Sequence, residues 1–231
     1  MNIQHHPDKS TLLAYAAGVL NEASSFIISL HSTYCEQCRA EINQANQLGA
    51  NLLHNIQSEQ LTENSFQQLW NRIENYPDKD FDYTGCEHTN IDNEQNIISP
   101  ETGPTSDKVL SACQQKAFND LDWCFLAPGI KQVILDDLYS SQGSVRLFKI
   151  KPGVKIPHHT HRSNELTLVM QGNYQDELGR FQFGDLSDLD ASHCHQPTVH
   201  SDEDCICLIA TEDKLKFTNP VFSLMQNFIK I

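Results

Sequence analysis

Residues 31–38 read His31-Ser32-Thr33-Tyr34-Cys35-Glu36-Gln37-Cys38. On a helix, His31 and Cys35 lie on one face, one turn apart. Cys38 completes a Cys-x-x-Cys step, the shortest spacing that lets two thiolates grip one tetrahedral ion. Three candidate ligands in this stretch call for a fourth, and His5 or His6 at the start of the chain can supply it. Four protein ligands around Zn²⁺ leave no open position, so such a site is structural and not catalytic. A redox pair or two core thiols would use the same spacing. A redox motif ordinarily opens the first helix of a βαβ unit, however, and no strand-like run precedes this one.

The flanking sequence is helical on both sides. Residues 8–20 predict a short helix opened by capping residues and stopped near Gly18. Asn21 can cap a second helix, which carries Phe26, Ile27 and Leu30 toward His31. A third starts around Cys35 to Cys38, where unpaired amide N–H groups favour thiolate charge. Its Ile42, Ala45, Leu48, Leu52, Leu53 and Ile56 keep a helical period. A fourth, from about Thr62 to Tyr76, puts Phe66, Leu69, Trp70 and Ile73 on one stripe, which is expected to pack on the others or on a partner. Three short helices bury little apolar area by themselves, which makes a metal staple the expected source of their stability.

From about Pro77 to Ser106 the chain turns polar and reads as a linker, with Cys86 and His88 unligated inside it. After Val109, short apolar-rich runs (131–136, 144–150, 166–170, 205–209) alternate with Gly, Pro, Asn and Asp, the pattern of an all-β barrel or sandwich. The expected organisation is therefore α + β in two domains: a zinc-stapled helical domain over 1–80, a polar linker over 81–107 and a β-barrel over 108–231.

Composition narrows the function. With 39% hydrophobic and 20% charged residues among 231, the chain is an ordinary globular sequence. No apolar run approaches the roughly 18 residues that span a bilayer, and MNIQHHPDKS lacks the basic start and apolar core of a signal peptide. A cytoplasmic location is expected, where the eight cysteines would stay reduced and serve as ligands, buried small side chains or redox sensors. The net charge of −14 is uneven: residues 1–106 hold 4 Lys+Arg against 14 Asp+Glu, and the remainder 12 against 16. That acidic first half would repel a nucleic-acid duplex and attract a partner that itself binds DNA.

A second constellation lies in the β-region, Gly153-Val154-Lys155-Ile156-Pro157-His158-His159-Thr160-His161-Arg162-Ser163-Asn164-Glu165, followed by Gly172. On a strand His159 and His161 point to one side, Glu165 follows after a tight turn, and a fourth ligand is available at His193, His195 or His200. Gly153, His159, His161, Glu165 and Gly172 match every defining position of the first cupin motif, G-x5-H-x-H-x3-E-x6-G, so the barrel is identified as a cupin. The second motif, G-x5-P-x-G-x2-H-x3-N, is degraded: Gly184 survives, but Asp188 to Asp190 supply neither the Pro nor the Gly. Three His and one Glu suit Zn²⁺, Fe²⁺, Mn²⁺ or Ni²⁺. Cys205 and Cys207 share one strand face as core residues, a redox-sensitive dithiol or alternative ligands.

Together these features resemble the ChrR-type zinc anti-sigma factors. The likeness rests on His5-His6, Leu12-x-Ala14-Tyr15-Ala16-Ala17-Gly18, His31-x3-Cys35-x2-Cys38, the cupin motif and Cys205-Ile206-Cys207-Leu208, and it is weakest across the linker and around residues 185–195. The resemblance implies His6, His31, Cys35 and Cys38 as structural zinc ligands. It implies His159, His161, Glu165 and His195 as ligands of a second divalent metal, zinc before the others, since a His shortly before a Pro fits His195-Gln196-Pro197. It further implies a cytoplasmic, non-enzymatic inhibitor that clasps an extracytoplasmic-function sigma factor, with no direct nucleic-acid or membrane contact. An oxidant such as singlet oxygen or a peroxide would release that partner by oxidising a ligand or thiol such as His159, Cys205 or Cys207. The alternative from another class is a metal-dependent, dioxygenase-like cupin enzyme, which would leave the fused helical domain unexplained.

Overall fold

Asn21 accepts the Ser24 N–H at 2.9 Å and opens the second helix, as its position predicts, in this computed structural model of the chain. The structure describes residues 3–58, 62, 64–75, 105–140, 143–160, 163–212 and 216–217, with 136–140 and 216–217 described through their backbone only. Most of the predicted linker, with Cys86 and His88, lies outside the described residues, as does His161. Two compact units emerge, Met1–Ala50 with Thr102–Ile231, and Asn51–Glu101.

The helices are α1 Lys9–Ala16, α2 Glu22–Tyr34, α3 Glu36–His54, α4 Ser65–Glu74 and α5 Thr105–Gln115. Gly18, at φ +69°, ends the first as the sequence predicts, with the Gly18 and Val19 N–H groups bonded back to the Tyr15 and Ala14 carbonyls. The fifth helix corrects the sequence reading, which ran the linker to Ser106 and began strands after Val109. Val109, Ala112 and Cys113 recur at helical spacing and are buried, which gives these residues a face to pack. In the smaller unit, the α4 stripe of Phe66, Leu69, Trp70 and Ile73 stays exposed, Trp70 being the least so at 47%.

Among the described residues twelve strands follow. They are β1 Cys124–Ala127, β2 Ile130–Ser140, β3 Gly143–Ile150, β4 His159–Thr160, β5 Glu165–Gln171, β6 Asn173–Asp176, β7 Gly179–Gln182, β8 Leu186–Leu189, β9 Cys194–His195, β10 Thr198–Val199, β11 Cys205–Thr211 and β12 Lys216–Phe217. One sheet orders them β1-β2-β3-β11-β5-β8, and two three-stranded sheets run β10-β6-β7 and β12-β4-β9. Every pair is antiparallel. At the β5–β6 corner Gly172 has φ +68°, and a Cβ there would lie 2.8 Å from Ser201 Oγ and 3.1 Å from Cys205 Cα. Only glycine fits.

Alternation along β11 divides the core in two. Ile206 and Leu208 face a cluster with Ile27, Ile28 and Leu30 of α2, Val109 of α5, and Leu147, Leu166 and Leu168. Cys205 and Cys207 face the other way, among Phe148, Val169, Tyr174 and Phe181. Because side chains alternate with period two, one strand buries both faces, which explains its unbroken apolar run. The helix bearing His31 thus packs on the outside of the large sheet. It does not depend on a metal for its only core.

Candidate metal centres

The first centre forms where α2 ends and α3 begins. His6 Nδ1 lies 3.3 Å from Cys35 Sγ and 3.4 Å from Cys38 Sγ, and His31 Nε2 lies 3.3 Å from Cys38 Sγ. All four ligand atoms fall within 4.8 Å of one another. Nitrogen and sulfur bound to one zinc at about 2.0–2.3 Å in a tetrahedron stand roughly 3.6 Å apart, so these residues fit that ion. Cys35 sits just before the first turn of α3, and the Cys38 N–H points at its Sγ from 3.5 Å, the helix-terminus arrangement that favours thiolate charge.

Electrostatics suit ligation. Burial holds the His31 pKa down to about 4, against the opposing pull of its bond to the Gly184 carbonyl, so the ring is neutral and its Nε2 lone pair is available. Burial and then Cys35 push the Cys38 thiol up to about 12. A cation entering here must displace that proton. His5, the other N-terminal candidate, stays out: its ring lies tilted against Phe181, centroids 4.2 Å apart, and its Nδ1 lies 3.4 Å from Asp185.

The barrel contributes to this centre in a way the sequence reading missed. His31 Nδ1 donates to the Gly184 carbonyl at 3.0 Å. The buried Asp185 accepts the Gln4 N–H at 2.7 Å and the His5 N–H at 3.1 Å, next to ligand His6. The Leu186 N–H bonds to the His5 carbonyl, and Asp188 accepts from the Asp8 N–H and the Thr11 hydroxyl. Departure from the second cupin motif at 185–188 therefore has a structural use: these residues seat the N-terminal arm. Gly184 was the legible signal, and its neighbours carried none.

The second centre lies inside the barrel. Antiparallel pairing of β4 with β9 sets His159 directly opposite His195, and their Nε2 atoms approach to 3.0 Å. Glu165 opens β5 beside them, its Oε1 accepting the Thr167 hydroxyl at 3.1 Å. His159, Glu165 and His195 are all buried, with ligand atoms within 4.8 Å of one another. His159 Nδ1 lies 2.9 Å from the Pro157 carbonyl, and a carbonyl only accepts, so this nitrogen carries the proton and Nε2 presents a lone pair. Two buried imidazoles and a carboxylate converging this way fit a divalent cation. His200 is exposed, and His193 is half-buried and pairs locally with Asp190 at 2.8 Å. Nearby, the Cys205 and Cys207 Sγ atoms lie 3.6 Å apart.

Fold and sites together define a two-centre protein, a His/Cys helical site packed on a cupin-like barrel that carries a His/Glu site. The family model described as the ChrR cupin-like domain matches residues 113–214. Over 231 residues, all of both chains, the sequence is 30% identical to the anti-sigma-E factor ChrR of Cereibacter sphaeroides. The crystal structure of Rhodobacter sphaeroides SigE in complex with the anti-sigma ChrR matches with a TM-score of 0.65 at 30% identity, covering 91% of this chain and 99% of that one. The chain belongs to the ChrR anti-sigma factor family. No helix among the described residues is long and apolar enough to cross a membrane.

Proposed function

We propose that this chain is a cytoplasmic anti-sigma factor: it sequesters an extracytoplasmic-function sigma factor and releases it under oxidative stress sensed by the barrel. The end-to-end likeness to ChrR carries this reading. Exposed apolar side chains on the helices support it: Leu48 in the larger unit and Leu52, Leu53, Phe66 and Ile73 in the smaller one are each more than half exposed and open to a partner. Between α1 and α3, Leu12, Leu13, Ala45 and Leu48 line a groove of about 600 Å³. An acidic first half suits the basic, DNA-binding surfaces of a sigma factor and speeds encounter with them.

In this reading residues 1–80 form the grip, 81–107 the linker and 108–231 the sensor. His6, His31, Cys35 and Cys38 hold zinc, a choice their thiolates favour. His159, Glu165 and His195, joined by His161, hold a second divalent ion, for which zinc is again our assignment. Bound zinc supplies a rigid cross-link, and no catalytic step is assigned to either centre. For the signal, peroxide could oxidise Cys205 and Cys207 to a disulfide while being reduced to an alcohol and water. Its bond to Cys205 and then burial raise the Cys207 thiol well above its ordinary range, however, and a protonated thiol is a slow nucleophile. Oxidation of a metal ligand such as His159 is the other entry.

The test is to purify the chain with the extracytoplasmic-function sigma factors encoded near it. A 1:1 complex that falls apart on chelation, or on replacing Cys35 and Cys38 with serine, is the expected result. A grip that survives zinc removal would overturn it. Turnover of a diketone by iron-loaded protein would favour the dioxygenase-like alternative.

A further inference from the structure

Asp176 ends β6 with a side chain that is 0% exposed, and its two carboxylate oxygens have separate tasks. Oδ1 accepts the Leu178 N–H at 2.9 Å within the β6–β7 turn. Oδ2 lies 2.9 Å from Nδ1 of His195. A carboxylate at that nitrogen requires the proton on Nδ1 and leaves the lone pair on Nε2. His159 is set the same way by the Pro157 carbonyl. Both rings therefore turn lone pairs toward one point, and their Nε2 atoms stand 3.0 Å apart. A cation held between two such lone pairs offsets their repulsion. Glu165 and Asp176 bring two negative charges to this buried place, the complement of a divalent ion.

We propose that Asp176 is a positioning residue of the barrel's metal centre: it locks His195 in the Nδ1–H tautomer, aims Nε2 at the ion and strengthens the ring as a donor. This rests on the reading of His159, Glu165 and His195 as ligands. The competing explanation gives Asp176 only its turn-closing bond to Leu178. Asp176→Asn separates the two. The amide oxygen can still accept from Leu178, while its NH₂ group faces His195 Nδ1 as a donor. That ring nitrogen must then accept, and the imidazole proton moves to Nε2, where it blocks the ion.

The experiment titrates the full-length chain with Co²⁺, with sulfur-to-cobalt charge transfer marking the Cys35/Cys38 centre, and follows the histidine nitrogens by ¹⁵N NMR. In Asp176→Asn, affinity at the barrel should fall about 10–100-fold. The charge-transfer band should be unchanged, and the His195 proton should appear on Nε2. Asp176→Glu should restore part of the affinity. Zinc-loaded wild type must show His195 protonated at Nδ1, a measurement that stands even if the variant folds poorly. Barrel affinity equal to wild type in Asp176→Asn, or a wild-type ring without that Nδ1 proton, overturns the proposal. A wild-type chain that takes up no second ion overturns the ligand reading itself, and the role of Asp176 with it.

Discussion

His31 and Gly184 meet at 3.0 Å across 153 positions of sequence, imidazole N–H to backbone carbonyl. One ring joins the two halves of the molecule, because its other nitrogen lies 3.3 Å from Cys38 Sγ. The orientation of a candidate ligand in the helical centre is thus set by a turn of the barrel, as outer-shell partners generally set the rings they hold.

Gly184→Ala tests that link. At φ +88° an L residue is strained, and its Cβ would lie 3.0 Å from the Ile3 side chain. The backbone cost is about 1–2 kcal/mol, and the displaced carbonyl should weaken zinc binding at the His31 centre several-fold. Urea unfolding and competition with a chelator measure the two effects.

Asp185→Ala removes the acceptor for the Gln4, His5 and Gln182 N–H groups. Unsatisfied, part-buried donors should cost about 1–3 kcal/mol in total, and the arm carrying His6 should exchange its amide protons faster. Wild-type protection at Gln4 and His5 in this variant would show that the arm is held by something else.

Cys113 gives a dependence on pH. Burial pushes its thiol from 9.0 up to about 12. A folded-state pKa raised above the unfolded value contributes stability in full below about pH 9, and this is lost as pH rises toward 12. Denaturant midpoints should therefore fall above pH 9, and Cys113→Ala should flatten that decline. In the native protein, iodoacetamide should label the exposed Cys124 and Cys194 while sparing Cys113 at pH 8.

Leu208→Ala empties space at the centre of the large sheet, where Leu208 is 0% exposed between β3 and β5. The expected loss is about 2–5 kcal/mol by chemical denaturation. Destabilisation well below that range would mean that α2 can move in to fill the gap.

How much of this could be read beforehand depends on where the signal sits. His31, Cys35 and Cys38 announce themselves by spacing, and His159 with Glu165 by motif register, because ligation constrains side chains that are close in sequence. Capping residues and Gly18 gave α1, Asn21 with the apolar spacing gave α2, and periodicity gave α3 and α4. It missed α5, whose Val109, Ala112 and Cys113 follow a polar stretch and were absorbed into the strand pattern. Asp176, Asp185 and Asp188 were illegible for a different reason. Each acts through at least one hydrogen bond to a residue far away in sequence, His195 for Asp176 and the N-terminal arm for Asp185 and Asp188, so no local pattern marks them.

The strand Cys205–Thr211 is a party wall. Odd positions furnish the room with Tyr174 and Phe181, even positions the room with the helices, and neither tenant can redecorate alone. In a saturation library, positions 205–208 should accept few replacements, since all four side chains are buried, two on each face, and their strand is paired on both edges.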